Sequence, residues 1–141
     1  MNTKQDSFSG IDTESVICEA AMGKMSREKG KRFERLVASL FKDWGFDAHR
    51  TAQFRGNTGQ AGDVEGVPYI HIEAKHQERM NLYDWMDQSE SDARAEGKGN
   101  LPIVIHHANQ KPILVTMRFE HWIQLYNEYY AGKELKDAVK Q

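Results

Sequence analysis

Apolar residues recur at helical spacing in "SREKGKRFERLVASLFKDWG", where Phe33, Leu36, Val37, Leu40, Phe41 and Trp44 fall at i, i+3, i+4, i+7, i+8 and i+11. This pattern predicts an amphipathic helix with a buried apolar stripe. Ser26 is its expected N-cap and Gly45 its C-terminal stop. Lys31, Arg35 and Lys42 lie on the opposite face. Glu34, about 100° around the helix from Phe33, sits on the border of the stripe, on the edge that carries Phe41.

The period then changes from 3.6 to 2. "FDAHRT" (46–51) alternates like a strand, and "AQFRGNTGQAG" (52–62) is a polar loop containing glycine. A short strand around Asp63–Glu65 turns at Gly66-Val67-Pro68 into "YIHIEAK", which places Ile70, Ile72 and Ala74 on one face. His71, Glu73 and Lys75 fall on the other. A second helix is expected from Leu82 to Glu96, ended by "GKGN". "LPIVIHH" and "PILVTM" read as two more strands joined at "ANQK". A last helix, Phe119 to Tyr130, carries Phe119, Trp122, Ile123, Tyr126 and Tyr130 on one face. The order α-β-β-β-α-β-β-α predicts an α/β fold with a small mixed sheet flanked by helices.

The 141 residues suit one domain able to bury a single core. Residues 24–141 are expected to form it, with residues 1–23 a flexible polar arm free to dock on a partner subunit. An apolar fraction of 39% and a charged fraction of 28% are ordinary for a globular protein. The net charge of −2 hides a gradient. Residues 24–56 hold nine Lys and Arg against four Asp and Glu, whereas residues 57–100 hold four against nine. A basic surface beside an acidic cluster suits a protein that binds a polyanion and gathers cations next to it. Cys18 stands alone, which rules out an intrachain disulfide and a thiolate metal site, and agrees with a reducing cytoplasm. No run approaches a membrane span, and "MNTKQDSFSG" does not resemble a signal peptide.

The polar face of "YIHIEAK" is where chemistry is expected. Asp63 and Glu73 lie on strands joined by a tight turn, so both carboxylates can reach the same side of the sheet. Converging carboxylates repel, and a hard, oxygen-seeking cation such as Mg²⁺ relieves the repulsion. Lys75 follows Glu73 on the same face and can orient a water or offset charge on a phosphoryl group. Metal, water and cation together meet the needs of phosphodiester hydrolysis. His71 shares the face and reads as a hydrogen-bonding histidine rather than a ligand. His76, His106 and His107 lack the spacing of a zinc site.

The spacing Asp-x9-Glu-x-Lys, "GD" at 62–63 and "EAK" at 73–75 with an upstream helical glutamate, resembles the PD-(D/E)XK nuclease superfamily. Within it, "GKRFERLVASLFKDWGF", the "HR" at 49–50, the Gly-rich loop, "GDV", "IEAK" and a glutamine on the next helix resemble archaeal-type Holliday-junction resolvases. The resemblance covers roughly residues 28–118. It implies a restriction-endonuclease-like core and a Mg²⁺-dependent endonuclease (Mn²⁺ substituting) acting on branched or double-stranded DNA as a homodimer. It also implies that Asp63 and Glu73 bind the metal with the Ala74 carbonyl, that Lys75 positions the water, and that Glu34 holds a second metal or its water. Gln88 matches the glutamine near the catalytic lysine. Lys31, Arg35, Arg50 and Arg55 would meet DNA phosphates, with Thr51, Asn57, Thr58 and Gln60 in the loop that approaches DNA. Gly62 replaces the Pro of the motif, and the loop lacks the serine expected of close resolvases. A repair, flap or restriction-type nuclease stays open, as do a non-catalytic DNA-binding module and a plain α/β domain. The expected setting is the cytoplasm of a bacterial, archaeal or phage-infected cell.

Overall fold

The computed structural model describes residues 12–52 and 61–141. Its order is α1 (Thr13–Asp43), β1 (His49–Arg50), β2 (Val64–Glu65), β3 (Ile70–His76), α2 (Leu82–Glu96), β4 (Leu101–His107), β5 (Leu114–Met117) and α3 (Phe119–Val139). The five strands form one sheet in sequence order. β1–β2, β2–β3 and β4–β5 are antiparallel, and β3–β4 is parallel, with Glu73 beside Val104 and Lys75 beside His106. A parallel pair needs a crossover, which α2 supplies.

Alternation along β3 and β4 divides the core into two. Phe33, Val37 and Ala38 of α1 pack with Ala48, Val64, Ile72, Ala74, Ile103 and Ile105. On the other face Trp85 and Met86 of α2 cover Val104. The buried Ser89 hydroxyl donates to the Ile103 carbonyl at 3.0 Å, so this polar group enters the interface satisfied.

Helix α1 departs from expectation in two ways. It begins at Thr13, with Asp12 as N-cap accepting from the Glu14 N–H, so Ser26 lies inside the helix rather than at its start. No proline interrupts residues 13–25, and Gly23 only lowers the propensity without ending the helix. The buried line is also narrower than the apolar stripe: Leu36, Leu40 and Trp44 are exposed, Trp44 at 85%. Packing against the small sheet involves the Phe33–Val37–Phe41 row and leaves the flanking row outside.

The C-terminus of α1 forms as its glycine predicts. Gly45 takes φ +92° and donates to the Lys42 carbonyl, while the Phe46 N–H reaches back to Phe41. The Phe41 and Phe46 rings meet edge-on at 6.0 Å, the apolar contact that accompanies a Schellman turn. Helix α3 runs to Val139, past the expected end at Tyr130, because nothing in "AGKELKDAV" stops it. None of its residues is buried.

Candidate active site

Asp63 immediately precedes β2, and its backbone extends the pairing on both sides: its N–H donates to Ile72 of β3 at 2.7 Å, and its carbonyl accepts from Thr51, just after β1, at 3.0 Å. A Cβ on Gly62 would stand 2.8 Å from the Ile72 carbonyl oxygen. Only glycine lets the two backbones approach this closely, which explains why the residue before the aspartate is Gly62. The Asp63 side chain turns onto β3, where Oδ2 accepts the Ala74 N–H at 2.8 Å.

Glu73 and Lys75 project from β3 toward α2. Lys75 Nζ stands 3.0 Å from Glu73 Oε1 and donates to Gln88 Oε1 at 3.1 Å. The helix therefore holds the ammonium beside the carboxylates. Burial, then the neighbouring charge of Glu73, pushes the Asp63 carboxyl up to about 7, against the pull of the Ala74 N–H and Lys75. Burial also raises Glu73, with Lys75 opposing it. Two carboxyls both resisting ionisation form an environment that a divalent cation relieves.

Glu34, from α1, bonds to Arg50 on β1, and its negative charge also pushes the Asp63 carboxyl up. The expected carboxylate is thus beside the site, and Arg50 is held against it. Thr51 is buried and its hydroxyl donates to the Gly62 carbonyl. It fastens the two ends of the loop, an internal role where a DNA-facing one was expected. Lys31 lies 3.7 Å from Glu28 on its own helix, and Arg35 is exposed. Arg55, Asn57, Thr58 and Gln60 lie outside the described residues.

Sequence reasoning passed over Asp92 and Glu96. Gln88, Asp92 and Glu96 form an i, i+4, i+8 row on α2 that lies along Lys75, Glu73 and His71 of β3. His71 Nδ1 is 2.7 Å from Glu96 Oε2, as its reading as a hydrogen-bonding histidine requires. The signal was the match between a helical row and a strand row of opposite direction.

An Asp, a Glu and a Lys brought together at the junction of a hairpin and a βαβ crossover match the motif of the PD-(D/E)XK nucleases. Residues 25–138 match the family described as "Phage putative PDDEXK endonuclease", and the chain belongs to it. Among solved structures it is similar to Hjc of Archaeoglobus fulgidus, a Holliday junction resolvase from an archaeal hyperthermophile. The identity is 24%, covering 63% of this chain and 72% of that one, with a TM-score of 0.46. No curated protein matches the sequence. Among the described residues, no helix is long and apolar enough to cross a membrane.

Proposed function

We propose that the chain is a Mg²⁺-dependent endodeoxyribonuclease that cuts branched DNA as a homodimer, with a four-way junction as its preferred substrate. The observation that carries the hydrolytic reading is the placement of Lys75 against Glu73 and Gln88, next to the buried Asp63. Asp63 and Glu73 supply hard oxygen donors whose ionisation is disfavoured without a cation, which fits Mg²⁺ or Mn²⁺. They would hold the ion with the Ala74 carbonyl. When bound, such an ion polarises the scissile phosphate and neutralises charge developing on it.

The protein's own groups do the rest. Gln88 fixes the Lys75 side chain, so the ammonium is placed before substrate arrives. Two of its N–H groups engage Glu73 and Gln88, leaving a third for the attacking water or a phosphate oxygen. Glu34 fixes Arg50 at the rim, where its remaining guanidinium N–H groups can meet a backbone phosphate.

The choice of junction rests on the ordered set of motifs in the sequence and on the exposed apolar face of α3. Trp122 and Tyr126 stack at 5.2 Å, and Phe119, Trp122, Ile123, Tyr126 and Tyr130 are all exposed. A twin chain covering this face would give a two-fold assembly with one site per subunit, matching the symmetry of paired cuts. The test is cleavage of a labelled four-way junction beside linear duplex, flap and single-stranded DNA, in Mg²⁺ and in EDTA. Paired symmetric nicks confined to the junction and lost in EDTA are expected. Equal cutting of flap or duplex would discard the junction preference, and no metal-dependent cutting would discard the nuclease.

A further inference from the structure

We infer that His71, Glu73 and Asp92 form a second divalent-cation site, one with a nitrogen ligand, that shares Glu73 with the Asp63 site. The sharing of Glu73 makes this an extension of the nuclease reading, on which its catalytic relevance rests.

One ring nitrogen of His71 and one carboxylate oxygen each of Glu73 and Asp92 lie within 4.8 Å of one another. Acidic residues alone would not define a site. The independent observation is His71 itself: the residue is 2% exposed, and its Nε2 is buried without a hydrogen-bond partner. A buried polar nitrogen left unpaired is costly, and a bound cation would offset that cost. The other nitrogen is already fixed. Glu96 accepts from Nδ1 at 2.7 Å, and as a carboxylate it can only accept. In the neutral imidazole this leaves the lone pair on Nε2. A carboxylate that holds one nitrogen so that the other can ligate is the usual support of a metal-binding histidine.

Charge points the same way. Glu96 pairs with Lys98 at 2.9 Å as well as with His71. Asp92 adds negative charge against Glu73. Among the described residues, Glu73, Asp92 and Glu96 set carboxylate oxygens around His71, and a cation balances them. A groove of about 420 Å³, lined in part by Gly62, Ile70, His71, Glu96 and Lys98, opens this end of β3 to solvent. The donor set of one imidazole and two carboxylates favours Mn²⁺ or another first-row transition ion over Mg²⁺, which takes oxygen donors.

Pulsed electron paramagnetic resonance of the full chain with less than one equivalent of Mn²⁺ tests the site. The Asp63→Asn background weakens the oxygen site without touching His71, Glu73 or Asp92. A directly bonded ¹⁴N coupling is expected there, and it disappears in His71→Gln on the same background. Because His71 is buried, Asp92→Asn provides a second arm, expected to weaken Mn²⁺ binding at least about tenfold. Absence of the coupling, its persistence in His71→Gln, or unchanged affinity in Asp92→Asn would overturn the proposal. A wild-type protein that cuts DNA without the coupling keeps the nuclease and loses this site. The coupling without cutting does the reverse.

Discussion

A carboxyl group that ordinarily ionises at 3.8 is held up to about 7 in Asp63, because the fold buries it and sets Glu73 beside it. The sign of the linkage follows. The folded protein holds this proton more tightly than the unfolded chain does, so the stability from the group is full below about 4. It declines as pH rises and is gone above about 7. Thermal unfolding in EDTA should therefore show wild type losing stability between these limits relative to Asp63→Asn, and excess Mg²⁺ should reverse the loss at neutral pH. A parallel dependence in wild type and Asp63→Asn would contradict this. Gly62→Ala provides a second prediction at this scale. Its Cβ would press on the Ile72 carbonyl, costing about 1–3 kcal/mol in urea unfolding and displacing Asp63 from the site. Asp63, Glu73 and Lys75 stood out in the sequence because charges around the polar face of a strand demand a reason, whereas Gln88 came only from the family resemblance. Asp92 and Glu96 did not stand out, because a carboxylate on a helix ordinarily faces water and only the register of α2 against β3 distinguishes these two.

The order of elements was legible because apolar spacing of 3.6 or 2, and in β4 a short unbroken apolar run, marks most of them. Boundaries were less so. Residues 13–25 are helical yet almost entirely exposed, so no buried stripe marks them. The difference between Phe33–Val37–Phe41 and the outer row of Leu36, Leu40 and Trp44 depends on how much of α1 the sheet covers, which periodicity does not record. Helix α3 carries its aromatic residues as expected, but among the described residues nothing buries them. If a twin chain covers them, Trp122→Glu with Tyr126→Glu should halve the mass found by sedimentation while leaving the helical signal intact. An unchanged mass would remove the proposed interface.

Across the whole molecule, charge is sorted: the first helix and the strand after it are basic, and the region that carries the carboxylates is acidic. A cation bound among the carboxylates would offset the repulsion that a DNA backbone otherwise meets there. Affinity for DNA should then come mostly from phosphate contacts, with log K falling against log salt by about 0.9 for each phosphate neutralised. Junction and duplex should share that slope closely if shape rather than base identity separates them. A salt-independent affinity would contradict phosphate-led binding.

On the proposed reading, Lys75, held by Glu73 and Gln88, acts on a phosphodiester at the Asp63 site. Single-turnover cleavage of a four-way junction by wild type and Lys75→Ala, with junction binding measured alongside, tests it most directly. Lys75→Ala should lose about 10²–10⁴-fold in rate with affinity changed by less than about threefold. Cleavage by Lys75→Ala at the wild-type rate would contradict it.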